Sequence, residues 1–449
     1  MLWFETALLS EGWAHDVRIE IRNDLIARIE TGVPALPRDE RHGVALPGLS
    51  NVHSHAFQRG MAGLAEIRGP ADDDFWTWRE VMYHFLDRLT PDDLEAITAL
   101  AYIEMLERGF TRVGEFHYLH NDPAGGAYKH PAELAGRIAA AAEQTGIGLT
   151  LLPVFYAHSN FGGAPPKPGQ RRFITNPKSF ARLVDDSRKI ILSLRDANLG
   201  VAPHSLRAVT PEELQQVVPL ANGGPVHIHA AEQTKEVEDC LGWSGARPVE
   251  WLLDHAQVDA RWCLVHATHM APQETTRLAR SGAAAGLCPV TEANLGDGVF
   301  PARIYRDAGG HYGIGTDSNV RIGAAEELGM LEYAQRLALR ARNLWPASEG
   351  ESTGRALFDG ALSGGAQALG QPAAGLRVGA SADFFSLAAA DPALAGRRDD
   401  AILDSWVFAG ALIDCVWRRG HKMVSAGRHC ARESVVARYM AVMGRLLTA

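Results

Sequence analysis

The sequence predicts an α/β chain: a (β/α)8 barrel of the TIM type with a small β-sandwich domain formed from both termini. Three observations predict it. Short apolar runs alternate with helical patterns from about residue 44 to about residue 370, eight runs in all. Strand-like pieces collect at both ends of the chain, and polar, titratable residues repeatedly terminate the apolar runs, as they do at the C-terminal mouth of a barrel. The 449 residues suffice for one barrel of ~250 residues plus a smaller unit. A doubly wound open sheet is the structural rival, because counting strands does not show closure.

From the N-terminus, LWFETALL (2–9), DVRIEIR (16–22) and LIARIE (25–30) are short extended pieces broken by Gly12, Asn23-Asp24 and GVPALP. Apolar and polar residues alternate through Asp16-Val17-Arg18-Ile19-Glu20-Ile21, the period of a half-exposed strand. The barrel strands are expected at VALPG (44–48), RVGEFHY (112–118), GLTLLPVFY (148–156) and LGVAPH (199–204). PVHIHA (225–230), WCLVHA (262–267), AAAGLCP (283–289) and HYGIGTD (311–317) complete the set. Between them, PDDLEAITALAYIEMLERGF (91–110) reads as a helix, with Thr90 as N-cap, Pro91 at the first position, acids in the first turn and a stop near Gly109. PAELAGRIAAAAEQTG (131–146), TPEELQQVVPLA (210–221) and AEELGMLEYAQRLALRARN (325–343) are further helices. The chain then returns to strand-like ADFFSL (382–387), SWVFAG (405–410), IDCVWRRG (413–420) and HKMVSAG (421–427), before a last helix in ARESVVARYMAVMGRLL (431–447). The expected domains are 1–45 plus 375–430 for the small sheet, 46–374 for the barrel and 431–449 for the terminal helix.

Composition excludes several classes. The 44 Lys and Arg against 53 Asp and Glu leave a net charge of −9, which argues against a general polyanion binder. An apolar fraction of 46% with 22% charged residues is that of a globular chain. No apolar stretch approaches the ~18 residues needed to span a bilayer. MLWFETALLSEGWAHD has no basic start and carries Glu5, so a signal peptide is not expected. Cys240, Cys263, Cys288, Cys415 and Cys430 form no CxxC pair and fit buried thiols in a reducing, cytoplasmic setting. The 18 histidines are the unusual count and point to a metalloenzyme.

Four motifs carry the chemistry. In PGLSNVHSH (47–55), His53 and His55 lie two apart, so one side of a strand can present both imidazoles to one ion. Alone, the pair fits a polar loop equally well. In PVHIHAAE (225–232), His227 and His229 again share a side. His229, nearer the strand's C-terminal end, is read as the ligand and His227 as a hydrogen-bonded core residue. Glu232 follows within reach of a bound group and has the proton-exchanging carboxylate that C–N cleavage needs, although an acid at a helix start is also common. LVHATH puts His266, and GIGTDS puts Asp317, at the same mouth. Each alone could be a satisfied polar residue. Together, three imidazoles and a carboxylate suit Zn²⁺ or a similar divalent ion.

PGLSNVHSH, HIHAAE, LVHATH and GIGTDS resemble the amidohydrolase superfamily in spacing and in order along strands 1, 5, 6 and 8, and GLRVGASADFF (375–385) resembles its exit from barrel to small sheet. NVHSHAFQRGMAGLAE, FWTWREVMY, GEFHYLH, GQRRFI, HSLRAVTP and TEANLGDGVFPA are similar to the formiminoglutamate iminohydrolase branch of histidine degradation. The resemblance implies one Zn²⁺ per chain on His53, His55, His229 and Asp317. LGVAPHSLR offers no lysine for a bridging carbamate, which fits a single ion. It further implies that His266 and Asp317 take a proton from water, that Glu232 hands one to the leaving ammonia, and that the working form is a homodimer. The substrate would be a small dicarboxylate. Arg79 and Arg207 are the candidates for its carboxylates, since a guanidinium binds a carboxylate with two parallel hydrogen bonds. By family match Gln58, Tyr118 and His204 complete the contacts. Rival readings are an imidazolonepropionase, a guanine- or cytosine-type deaminase using Phe57, Trp76, Trp78 and Phe116 for stacking, and a catalytically silent relative.

Overall fold

One glycine separates the two sheets of the molecule. The strand Glu40–Pro47 runs in the small sheet, and after Gly48 the chain enters the barrel as Leu49–Ser54, β1. A Cβ on Gly48 would stand 2.3 Å from the Thr111 side chain, so no larger residue fits this crossing. In this computed structural model, which describes residues 1–70 and 72–448, the barrel continues with Phe110–His117 (β2) and Gly148–Phe155 (β3). Next come β4, in two pieces at Ala197–Leu199 and Ala202–Pro203, and Val226–Ala230 (β5). Trp262–His266 (β6), Ala284–Leu287 (β7) and His311–Ile314 (β8) complete it.

These eight strands, among the described residues, are all parallel. Two seams close the sheet on itself. β8 pairs with β1 at Ile314 and Asn51, and β4 meets β5 through the Val201 N–H to the Pro225 carbonyl (3.0 Å) and the His227 N–H to the Val201 carbonyl (3.1 Å). The doubly wound rival is thereby excluded. Helices cover the outer side, which is why every residue of β2, β3, β5, β6 and β7 is buried and why β3 and β7 read as nearly continuous apolar runs.

The small sheet joins both termini: Leu2–Leu9, Gly12–Arg22, Leu25–Glu30 and Glu40–Pro47 pair on with Phe384–Leu387, Ile413–Arg418, His421–Ser425 and Arg428–His429. Its Leu25 edge folds back onto the run before Phe384, with the Ile26 N–H on the Ala380 carbonyl at 2.9 Å. The sheet thus closes over a core of its own, including Phe4, Val17, Ile19, Phe384 and Trp417.

Two expected strands are corrected. VALPG (44–48) belongs to the small sheet, and the barrel's first strand is the more polar LSNVHS beyond it. SWVFAG (405–410) is the end of a helix, Asp400–Ala409. Ile402, Leu403, Trp406 and Val407 are buried at helical spacing, and left-handed Gly410 (φ 75) ends the run. Six residues were too short a window to show that period. After β1, the stretch 56–90 contains a 3-10 turn, Ala56–Met61, and a helix, Phe75–Leu86, whose start Asp74 caps at the Trp76 and Thr77 amides. No helix among the described residues is long and apolar enough to cross a membrane.

Candidate metal centre and active-site cavity

The C-terminal ends of the strands supply the candidate residues, and the backbone there is bent to aim them. Ala231, His266, Ala267 and Asp317 all have left-handed backbones (φ 53, 66, 49 and 44), a conformation costing roughly 1–3 kcal/mol for a non-glycine residue. The packing around the mouth must hold each in place. Asp317 is clasped by β1: its N–H donates to the His53 carbonyl and its carbonyl accepts the His55 N–H, both at 2.9 Å. A buried network secures the same seam, in which Asn51 donates to the Thr316 hydroxyl (2.7 Å), that hydroxyl donates to Asn319 (2.6 Å), and Asn319 donates to Ser54 (3.1 Å).

His53, His55 and His229 converge. The Nε2 of His53 lies 3.2 Å from that of His55 and 3.1 Å from that of His229. His55 and His229 spend their Nδ1 protons on the carbonyls of Phe116 and His204, each at 3.0 Å, so each neutral ring presents a bare lone pair at Nε2. Burial keeps the rings neutral, moving His55 and His229 down and His53 to about 3. One proton on His53 cannot serve two facing lone pairs, so the cluster calls for a cation. Four ligands about 2.0–2.1 Å from a tetrahedral zinc lie about 3.3 Å from one another, close to these separations. Asp317 adds a carboxylate 3.3 Å from His55 and 3.6 Å from His53. Its own acidity is raised despite burial, because His53, His55 and His266 favour the anion. The donor set therefore fits a divalent ion. His227 stands apart, its Nε2 donating to the Ala368 carbonyl at 2.7 Å.

Beside this cluster, His266 Nε2 is 3.7 Å from both Asp317 Oδ2 and Glu232 Oε1. Burial opposes charging His266, but Glu232, Glu292 and Asp317 outweigh it and move the imidazole upward. Burial pushes Glu232 upward as well, against the pull of His266 and Arg207. A carboxyl near its proton-exchange point, next to an imidazole, can pass a proton to a leaving nitrogen.

Gln58, Arg79, Tyr118, His204, Arg207 and Glu232 line one cavity with His55, His229 and Asp317. Its empty space, counted out to the mouth, is about 520 Å³. His53 and His266 sit beneath its floor at the distances given. Arg79 comes from the helix Phe75–Leu86 and Arg207 from the segment after β4; both are buried (8% and 5% exposed) and both lie against the Trp76 ring, at 4.9 and 5.7 Å. Among the described residues Arg79 has no carboxylate within ion-pair distance. Among the same residues Arg207 has only Glu232 and Glu236 at 3.8 and 3.9 Å, and its Nε is unpartnered. Two desolvated guanidinium groups with unused donors form an anion-seeking wall. Gln58 donates to the Tyr118 hydroxyl at 2.7 Å, leaving its own carbonyl oxygen unpaired. Of the aromatic residues considered for stacking, Phe57 and Phe116 are buried in the core, and Phe116 packs on His229 with ring centres 4.5 Å apart; Trp78 does line the cavity.

Sequence reasoning missed Tyr156, Met82, Tyr83 and Phe173 in the cavity wall, and Glu292 behind His266. Tyr156 ended a run already read as a strand, and that position was a usable signal. Glu292 lies beyond a strand end that carries a thiol, Cys288, but no imidazole or carboxylate.

Comparison with known proteins agrees with this fold. Residues 44–421 match the amidohydrolase family, and residues 2–43 match the family described as the N-terminal domain of formimidoylglutamate deiminase HutF. A formimidoylglutamate deiminase from Pseudomonas aeruginosa is 50% identical over 99% of both chains. The crystal structure of an amidohydrolase from Brucella melitensis superposes with a TM-score of 0.97 at 58% identity, covering 99% of both chains. An adenosine deaminase from Xanthomonas campestris with bound zinc shares the fold at 20% identity (TM-score 0.82, covering 100% of this chain and 98% of that one). With a barrel closed at both seams, and likeness running from the first strand to the last helix, this chain belongs to the amidohydrolase family.

Proposed function

We propose that this protein hydrolyses N-formimino-L-glutamate. Water adds to the formimino carbon, the bond from that carbon to the terminal nitrogen breaks, and N-formyl-L-glutamate and ammonia leave. One observation carries the reading: Arg79 and Arg207, buried and short of anionic partners, share a cavity with a cradle of three imidazoles and a carboxylate. A dicarboxylate fits that wall. An aromatic base, which asks for stacking and neutral hydrogen bonds, does not. The full-length Pseudomonas relative bears the name of this activity.

His53, His55, His229 and Asp317 would hold one divalent ion, with zinc best suited to such a set. Bound there, the ion supplies the Lewis acidity that brings water close to deprotonation near neutral pH. His266 and Asp317 accept the proton the water gives up. Glu232 holds the formimino nitrogens and returns a proton to the departing ammonia. Arg79 and Arg207 take the two carboxylates of the glutamate part, with Gln58, Tyr118 and His204 around the remainder. The reading includes a cytoplasmic protein, supported by five cysteines free of disulfides, and a homodimer, supported by the family resemblance alone.

The test sets ammonia release from N-formimino-L-glutamate and from guanine beside ring opening of imidazolonepropionate, each with the purified zinc-loaded chain. Release from the first alone is expected. Turnover of either of the others in its place overturns the assignment.

A further inference from the structure

β7 differs from the other strands that feed the site. It runs through Cys288, whose buried thiol stands beside His266 and Asp317, into a short helix, Pro289–Leu295, and offers no imidazole or carboxylate at its own end. Glu292, one turn into that helix and 4% exposed, reaches back behind His266. Its Oε1 lies 3.3 Å from His266 Nδ1 and accepts the Cys288 backbone N–H at 3.0 Å. A carboxylate can only accept, so the hydrogen of the imidazole contact sits on Nδ1. Nε2 is thereby turned to the opposite side, where Asp317 and Glu232 stand at 3.7 Å and where it has no hydrogen-bond partner. The His266 backbone is left-handed (φ 66), so the strand end does not by itself hold the ring at this angle.

We propose that Glu292 is the positioning residue for His266: it fixes the tautomer and tilt of the imidazole so that Nε2 faces the reacting water. This deepens the proposed hydrolysis and rests on it for the role of His266. The arrangement repeats the logic by which a buried carboxylate orients the base of a nucleophile–histidine–carboxylate triad. The competing account is local: Glu292 caps the helix start through the Cys288 amide and does nothing more. Glu292→Gln separates the two, because the amide oxygen can still accept from Cys288 while the negative charge behind the ring is gone.

Three readouts on the zinc-loaded protein test it. Zinc content and KM are expected to stay within about threefold of wild type while kcat falls roughly 10²-fold, the scale of a misdirected general base. Glu292→Asp, which keeps the charge, is expected to recover part of kcat. In proton NMR without substrate, wild type should show a strongly deshielded imidazole N–H resonance that His266→Ala abolishes and that Glu292→Gln moves upfield. Unchanged kcat in Glu292→Gln, or a resonance indifferent to it, overturns the proposal and leaves Glu292 as a helix cap. Because the resonance needs no substrate, a wild-type protein inert toward N-formimino-L-glutamate would sink the hydrolysis reading separately from this one.

Discussion

His229 and His227 lie two positions apart on β5 and have opposite surroundings: one faces two other imidazoles, the other a helix carbonyl. Depth along the strand, and not residue type, separates them, and the same distinction governs what substitutions in the site should do. Glu232 makes no contact shorter than 3.7 Å with His266 or 3.8 Å with Arg207, so it is not needed to hold the cradle together. Glu232→Gln should keep its zinc by elemental analysis while kcat drops by roughly 10²-fold or more, the usual worth of a positioned proton donor. Arg207 offers a planar fork that lysine lacks. Arg207→Lys should raise KM for N-formimino-L-glutamate about tenfold or more, as expected for a lost charge-assisted hydrogen bond of about 1.5–3 kcal/mol, with zinc content unchanged. Steady-state kinetics on a metal-quantified sample checks both.

At the scale of elements, the helix Pro91–Glu107 follows its sequence rules closely. Thr90 Oγ1 accepts the Asp93 N–H at 3.3 Å, and Asp93 accepts in return from the Thr90 N–H (2.9 Å) and hydroxyl (2.7 Å). Thr90→Ala should cost about 1 kcal/mol, read as a lower urea midpoint with an unchanged slope. Caps, proline starts and strand alternation are local, and so the helices and most barrel strands were legible in the sequence. What was not legible depended on distant partners. Gly48 gives no sign that it divides two sheets; only the Thr111 side chain, from another strand, makes it do so. LSNVHS did not register as the strand's apolar run, which was placed at 44–48, because its polar side chains point into the site and the β1–β8 seam, where neighbours and not apolarity justify them. The candidate site was more legible than its walls, since H-x-H, HIHAAE and TDS sit at strand ends, whereas Tyr83, Phe173 and Glu292 reach it by loop and helix paths that periodicity does not encode.

For the whole molecule, the two sheets are tied by charge as well as by chain. Asp196, just before β4, is gripped by Arg112 of β2 and by Arg418 of the small sheet, which also pairs with Asp383. Burial alone would raise the Asp196 carboxyl, but the two guanidinium charges hold it below the ordinary range. A carboxylate depressed in the folded state contributes stability that is complete above its unfolded pKa of about 4 and lost as pH falls through the lower folded value. Asp196→Asn should therefore be less stable than wild type at neutral pH and show a shallower acid limb in urea midpoints taken from about pH 7 down to about pH 3. Removing the metal by chelation should abolish turnover and lower the thermal midpoint, both restored by zinc, since the cradle exists only in the folded chain. That cradle spans the seam where Asp317 locks onto His53 and His55. During synthesis the ribosome releases the first two imidazoles more than 260 residues before the carboxylate that completes their set. No nascent fragment can hold the ion in its final geometry, and loading must wait until nearly three-quarters of the polypeptide has emerged and its last barrel strand has docked beside its first.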